Sequence, residues 1–339
     1  MVTMTETMSP GVDGDFLSQA DPYRRELMAH CYRMLGSVHD AEDLVQETYL
    51  RAWRAYDRFE GRSSLRTWLY RIATSACLTA LESRGRRPMP TGLGAPGCEP
   101  EDDLQERHEV PWLEPVPDAL TGADGADPAA IVTSRESIRL ALVAALQHLP
   151  PRQRAVLILR DVLKWRAAEV AELMDISTPA VNSILQRARA QLEKIAPTEN
   201  EVTEPSAADQ RELLDKFVTA FEAKDIPAII SLFTEDAVWE MPPFAGWYLG
   251  AERIARHLSS RCPCRPGHTR LLPTWANGQP AFGTYLRERD GERFRAFNLQ
   301  VLTVGPAGIS HVANFVDADL FAVFDLPESL PADYPAATA

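Results

Sequence analysis

The amino-acid sequence predicts a multidomain chain: two all-α helical domains followed by an α+β domain. Three observations carry that prediction. Apolar residues recur at helical spacing over two separate stretches, 16–90 and 131–196. An acidic segment rich in Pro and Gly, 91–130, lies between them and has no period of its own. Beyond a second polar linker, 197–208, helices give way to runs of alternating apolar residues with hairpin signals. Residues 1–15 read as a disordered leader, 209–328 as the α+β domain and 329–339 as a tail.

The totals bound the function. At 339 residues, two or three domains are expected. A net charge of −13 excludes a protein coated in basic surface, so any nucleic-acid binding must use local basic patches or a basic partner. Five cysteines, an odd and mostly scattered set, argue against a disulfide framework and fit a reducing cytoplasm. The N-terminus reads as no signal peptide, and no apolar run reaches the ~18 residues of a membrane span.

In the first helical stretch, Tyr23, Leu27, Cys31 and Leu35 share one face, and Gly36 ends that helix. The next, Asp40 to Arg54 (DAEDLVQETYLRAWR), puts Ala41, Leu44, Val45, Thr48, Tyr49 and Ala52 inward. Asp43, Gln46 and Glu47 stand outward, able to dock on a basic partner. In FEGRSSLRTWLYRIATSACLTALESRGRR, Ser63 and Ser64 suit a helix start, and Leu65, Trp68, Leu69, Ile72, Ala76 and Leu81 form the seam. Arg62, Arg66, Arg71 and Arg84 make this segment basic, and Tyr56, Phe59, Trp68 and Tyr70 interleave with them. Unpaired bases need that combination, phosphate neutralisation beside a stacking surface.

In the second stretch, Ile138 to Leu149 leads into Pro150-Pro151, and Gln153 to Leu163 is a strongly apolar helix. Ala167 to Lys194 then reads as two helices joined by a turn at Asp175-Ile176-Ser177. Ser177 caps the second helix, and Pro179 sits in its first turn, where a missing N–H costs nothing. Val181, Ile184, Leu185, Ala188 and Leu192 face inward. Thr178, Asn182, Ser183, Gln186, Arg187 and Arg189 are left outward, the side chains that read base edges and phosphates in a major groove.

In order, these segments resemble the extracytoplasmic-function group of the sigma-70 family, the promoter-recognition subunits of bacterial RNA polymerase. Phe16 to Arg87 looks like its region 2, and LPPRQRAVLILRD with the helix pair looks like its region 4. The resemblance implies that Asp43, Gln46 and Glu47 bind core RNA polymerase, and that Phe59, Arg62, Arg66, Trp68, Arg71, Ser75 and Arg84 handle the −10 single strand. The family often has Asn where this chain has Ser75. Thr178, Asn182, Ser183, Gln186, Arg187 and Arg189 would read the −35 element of promoter DNA. The resemblance further implies that the acidic linker threads through polymerase channels. Its apolar island, Trp112-Leu113-Glu114-Pro115, is similar to a motif of members that carry an extra C-terminal domain, where it meets that domain. An anti-sigma factor is a partner the family allows.

The C-terminal stretch begins with helices at Leu213 to Phe221 and Ile226 to Phe233, a short strand at Ala237 to Met241 and a helix at Ile254 to Ser259. Ala281 to Arg287, Phe294 to Val304 and Ile309 to Asp317 read as long strands of a curved antiparallel sheet, an α+β cone. LLDKFVTAFEAKDIPAIISLFTEDAVWEMPP resembles the opening of SnoaL-like domains, the cone fold shared with polyketide cyclases and ketosteroid isomerases. Such cones enclose a pocket, here expected to involve Trp239, Met241, Trp247, His311 and Asp317 and to accept a small-molecule ligand. Glu240 and His257 are further titratable candidates, but no constellation matches a catalytic set, so no enzyme activity and no cofactor are expected. His257, Cys262, Cys264 and His268 form an H-x4-C-x-C-x3-H cluster whose cysteine spacing suits a structural zinc poorly, so no metal is expected.

The sequence thus reads as a cytoplasmic sigma factor, without membrane segments, whose cone regulates it. A one-component repressor and a cone-fold isomerase or cyclase fused to a DNA-binding module are the rival readings.

Overall fold

The computed structural model describes residues 16–93, 98–122, 135–195 and 206–336. The expected leader and most of the second linker lie outside them. The described residues form two compact units that do not follow the linear order of the chain. One takes in 16–85, 119–122 and Ala145–Ile195; the other takes in 86–93, 98–118, 135–144 and 206–336.

The first unit is helical. Helix α1 (Arg24–Leu35) ends on Gly36 at φ 71°, and α2 (Val38–Ala55) starts on Ser37, whose hydroxyl accepts the Asp40 N–H at 3.1 Å. Helix α3 (Leu65–Glu82) is capped in the same way by Ser64. Leu27, Cys31, Leu35, Val45, Ala52, Leu69 and Ala76 are buried, as the helical spacing predicts; on α3 the buried stripe also takes in Ala73 and Cys77, while Leu65, Trp68, Ile72 and Leu81 of the predicted seam are half-buried. Helix α4 (Leu140–Leu146) crosses from one unit to the other. Helix α5 (Pro151–Leu157) is shorter than the predicted Gln153–Leu163: it passes into a π turn at Ile158–Val162, closed by the Leu163 N–H on the Ile158 carbonyl at 2.9 Å. Helices α6 (Ala167–Met174) and α7 (Thr178–Ile195) follow, joined through Asp175 in the left-handed conformation at φ 53°.

The second unit is built on a sheet. Helices α8 (Ala207–Ala223), α9 (Ile226–Ser231) and α10 (Ala251–Ser260) accompany β1 (Phe233–Glu240), β2 (Trp247–Leu249), β3 (Thr269–Ala276), β4 (Gln279–Leu286), β5 (Phe294–Gly305), β6 (Gly308–Phe315) and β7 (Ser329–Leu330). The strand order is β2-β1-β6-β5-β4-β3, with β7 on β5. The sheet is mixed rather than purely antiparallel, because β1 pairs with β6 in parallel. Strand β3 has no counterpart among the predicted elements: Pro273 and the polar residues around it hide the alternation. The signal that identifies it is Asn277-Gly278, both at positive φ, the residue pair a tight hairpin turn demands. Phe233, predicted at a helix end, already belongs to β1.

One sheet face carries Trp239, Phe282, Leu302 and Val312, packed with Phe217 and Phe221 of α8 and with Ile254 and Leu258 of α10. The opposite face carries Tyr285 and Phe294, covered by Phe321 and Leu330.

Each unit buries a neutral histidine. His30 Nε2 lies 2.9 Å from Thr74 Oγ1, and burial, assisted by Arg33, pushes its pKa down to about 3. His257 stacks on Tyr248 with centroids 4.5 Å apart, and burial, assisted by Arg261, pushes it down to about 4. An unfolded histidine titrates near 6.5, so below that pH the unfolded chain takes up protons that the native state refuses. Stability should therefore fall as pH drops from about 6.5 toward 4, by roughly 2 kcal/mol per histidine between pH 6.5 and 5. Thermal melts at pH 7 and 5 test this: His30→Asn and His257→Phe should each shrink the difference, and an unchanged difference in both would refute the assignment.

Candidate nucleic-acid and polymerase interface

Three surfaces of the helical unit carry the side chains singled out by sequence. On the outer face of α2, Asp43 and Gln46 are exposed, and Glu47 pairs with Arg51 one turn on at 2.5 Å. The apolar stripe that buries the other face leaves these acids outward.

The second surface lies where the end of α2 meets α3. Phe16, Tyr56, Phe59 and Trp68 form an aromatic ladder: Phe16 and Tyr56 are 5.1 Å apart, Tyr56 and Phe59 stack at 6.4 Å, and Phe59 and Trp68 stack at 4.8 Å. Phe59 and Trp68 stay half-exposed and, with Arg58, Glu60, Arg62, Ser63 and Arg71, line a groove of about 290 Å³. Not every cation here is free. Arg62 pairs with Glu60. Arg66 forms a bidentate pair with Glu26 at 2.8–2.9 Å and lies over the rings of Tyr70 and Trp165. Arg84 pairs with Asp40 at 2.7 Å, and Ser75 is exposed. The structure thus gathers Phe59, Arg62, Trp68 and Arg71 in one groove, while Arg66 and Arg84 serve pairs within the protein.

The third surface is α7. Ser177 Oγ accepts the Ala180 N–H at 3.3 Å, so the first turn is capped as predicted. Val181, Leu185 and Ala188 are buried, and Thr178, Asn182, Ser183, Gln186, Arg187 and Arg189 are all exposed. Asn182, Gln186 and Arg189 line a groove with Arg160, a residue the sequence reading passed over. Arg189 is held by Asp161 through two bonds of 2.6 and 2.8 Å.

The second and third surfaces belong to one packed unit because α3 touches α6. Arg71 donates to the Glu172 carboxylate and carbonyl at 3.4 and 3.3 Å. Trp165 lies against Tyr70 with centroids 5.2 Å apart. Deeper in, the buried Arg154 donates to the carbonyls of Met34, Gln147 and Leu149 and to the Gln147 side chain, tying α1 to the second helical stretch. Desolvation lowers its pKa to about 10, so it remains charged at neutral pH.

In the sheet unit, the five residues expected to share a pocket do not share one. Register puts Trp239 and Met241 on the face packed by helices, and Glu240, Trp247 and His311 on the other. A strand alternates its side chains, so residues one apart point oppositely. Asp317 is exposed beyond β6, where it accepts the Asp319 N–H. His311 lies 2.8 Å from the buried Glu240, whose second oxygen accepts the Thr91 N–H at 3.0 Å. Asn298, Gln300 and Asn314, which the sequence reading did not single out, are buried on the helix-packed face, and each leaves its side-chain oxygen without a partner among the described residues. Cys262 and Cys264 hydrogen-bond each other, and among the described residues no group of three His, Cys, Asp or Glu could hold a metal ion.

The segment between the helical stretches departs most from expectation. Leu113 and Val116 are fully buried in the sheet unit, not solvated. Val116 exchanges two hydrogen bonds with Asn277, at 2.9 and 3.0 Å, and Asn277 Nδ2 donates to the Ile138 carbonyl at 2.7 Å. Gly278 N–H donates to Asp118 at 2.7 Å, and Gln279 accepts the Leu140 N–H at 3.0 Å. Trp112 itself is half-buried and donates to the Arg107 carbonyl. Further back, Glu99 and Glu101 pair with Arg253 and Arg256 on α10.

Residues 20–87 match Sigma-70 region 2, 139–192 match Sigma-70 region 4 and 214–308 match the SnoaL-like domain. The chain is 56% identical over 319 residues to the ECF RNA polymerase sigma factor SigG of Mycobacterium tuberculosis, covering 94% of this chain and 85% of that protein. It is 29% identical to SigJ of the same organism, over 71% of this chain and 72% of SigJ. The crystal structure of SigJ superimposes with a TM-score of 0.58 and 25% identity, covering 92% of this chain and all of SigJ.

The contacts that join the two helical stretches differ in weight. Replacing Arg154 with Leu removes the shared donor of four buried acceptors and should cost roughly 3 kcal/mol. Glu172→Ala removes an exposed pair and should change stability by less than about 1 kcal/mol. Urea unfolding of the two variants checks the ordering.

Proposed function

Because the chain belongs to the extracytoplasmic-function RNA polymerase sigma factors, we propose that its three helical surfaces divide the work of promoter engagement. Asp43, Gln46 and Glu47 dock on core RNA polymerase, α7 reads the −35 element in the major groove, and the Phe59–Trp68 groove holds the unpaired −10 strand. The observation that carries this reading is the Phe59–Trp68 stack, half-exposed and edged with arginines on the same unit as a helix that turns Thr178, Asn182, Ser183, Gln186, Arg187 and Arg189 outward. The chain performs no covalent chemistry of its own, and the cytoplasm, where polymerase works, is its site of action.

Engaging both elements requires a change of shape. Their centres lie about 25 base pairs apart, roughly 85 Å of duplex at 3.4 Å per base pair. Helices α3 and α7, of 18 residues each, are about 27 Å long. Joined through the Arg71–Glu172 contact, they cannot span that distance, so α3 and α6 part when promoter is bound. The SnoaL-like unit acts as a built-in regulator because it holds the segment that the sequence resemblance sends into polymerase channels. Its grip centres on Asn277.

Two outcomes follow. Trp68→Ala and Phe59→Ala should reduce promoter opening at least ten-fold in transcription reconstituted with core polymerase, read by permanganate reactivity of the non-template strand. Asn182→Ala or Gln186→Ala should instead weaken duplex −35 binding by about 5- to 150-fold, each lost base contact being worth about 1–3 kcal/mol. Normal opening by both aromatic variants would overturn the assignment. For the regulator, Asn277→Gly keeps the positive φ while removing the side-chain bonds, and it should change transcription without loss of polymerase binding. Deletion beyond Pro205 should change it in the same direction. Unaltered transcription in both would refute the regulatory reading.

A further inference from the structure

A pocket of about 580 Å³ in the sheet unit plays no part in the scheme above. It lies where the loop after α10 meets the ends of β4 and β5, and its walls are Pro263, Arg265, Leu286 to Arg289, and Arg295 to Phe297. Four of the lining residues are arginines, against one carboxylate, Glu288. Arg287 is fixed in place: it donates to the carbonyls of Ala332 and Gly267, pairs with Asp290 at 3.3 Å and lies over the Phe294 ring. The other three, Arg265, Arg289 and Arg295, are exposed, and their guanidinium groups have no partner among the described residues.

That arrangement is costly unless something answers it. Three cations facing one cavity repel one another, in a chain that has 48 acidic residues. On α10 of the same unit, by contrast, Arg253 and Arg256 are paired with Glu99 and Glu101. Guanidinium forks match phosphate oxygens two at a time. Phe297 is half-buried and, with Leu286, Pro263 and Ala296, supplies an apolar wall against which a flat ring can lie. The volume falls within the ordinary range of small-molecule sites, and its concavity suits a compact ligand better than a polymer backbone.

We infer that this pocket binds a phosphorylated small molecule of nucleotide size, with Arg265, Arg289 and Arg295 on the phosphates and Phe297 and Leu286 against the base. The inference gives the regulatory unit an input and rests on the regulatory reading for its consequence in transcription, but not for binding itself.

Equilibrium dialysis of the full chain with ATP, GDP and inorganic pyrophosphate, at low and high salt, tests it. The nucleotides should bind with Kd on the order of micromolar and more weakly as salt rises. The double variant Arg289→Gln/Arg295→Gln should weaken them at least ten-fold. Phe297→Ala should abolish the preference for nucleotide over pyrophosphate. Pyrophosphate binding as tightly as the nucleotides would assign the phosphate cradle alone and refute the base contact. All three arginines are exposed, so an unchanged melting temperature should confirm that the variants are folded, and Arg293→Gln, whose side chain bonds Ser329 outside the pocket, serves as control. Absence of binding at millimolar probe, or binding indifferent to the double variant, would overturn the inference. So would competition by a DNA oligonucleotide with the same arginine dependence, which would make the patch a nucleic-acid contact. A null result in the Asn277 and truncation assays leaves these binding outcomes intact, so the two readings fail separately.

Discussion

A chain segment with almost no helix or strand of its own must still find partners for its backbone N–H and C=O groups once it is buried. Residues 98–118 are such a segment, and the sheet unit supplies the partners: Trp247 takes the Cys98 N–H, Pro243 the Arg107 N–H, and Asn277 both polar groups of Val116. The Asn277-Gly278 turn is the centre of this accommodation. Its left-handed backbone directs the Asn277 amide and the Gly278 N–H at the passing chain, and a Cβ on Gly278 would come within 3.0 Å of the Arg135 backbone. A hairpin turn ordinarily faces water. This one is buried and binds two other stretches of the chain, around Val116 and Ile138.

The helical unit follows a related economy with its cations. An acidic protein that must touch nucleic acid has few basic residues to spend, yet Arg66, Arg84 and Arg154 are used internally. Arg154 is the extreme case, a buried guanidinium that satisfies carbonyls rather than a carboxylate. Carbonyl oxygens at helix ends carry partial negative charge and lack intrahelical partners, so one planar five-donor group can serve several at once. What remains outward is the polar face of α7 and the rim of the Phe59–Trp68 groove, where Arg62, Arg71 and Arg189 sit in exposed pairs with Glu60, Glu172 and Asp161.

The helices were legible because an amphipathic helix writes its burial into a 3.6-residue period, and because Gly36, Ser37, Ser64 and Ser177 mark ends with chemistry that acts locally. The outward polar residues of α7 were legible for the same reason: they are what remains when the buried stripe is removed. The sheet unit was harder to read. Strand alternation says that Trp239 and Glu240 face opposite ways, but the choice of interior face is made by α8 and α10, through Phe221 and Ile254, far away in sequence. Trp239 and His311 were thus grouped although the sheet separates them. The buried pairing of residues 98–118 left no periodic trace, and the apolar island around Leu113 was its one outward sign. Arg66 and Arg71 read as free cations because Glu26 and Glu172 meet them only through tertiary contacts.

Chain order and compact units interleave, and that arrangement bears on how regulation would operate. The chain leaves the helical unit after Gly85, returns after Asp118, and contributes 135–144 to the sheet unit before completing the region 4 helices. No single cut separates the units without stripping buried side chains such as Leu113, Val116 and Ile138 of their cover. Under the proposed regulatory reading, residues 98–118 cannot satisfy the sheet unit and a polymerase channel at the same time, so the two destinations would compete for one segment. Linkage then requires that whatever strengthens the hold of Asn277 on Val116 weakens capture of the segment elsewhere by the same factor, and that capture weakens the hold in return. The grip consists of a few neutral hydrogen bonds, each worth about 1 kcal/mol net, together with two buried apolar side chains. A regulator built this way is firm enough to define a resting state and weak enough for a large partner to undo.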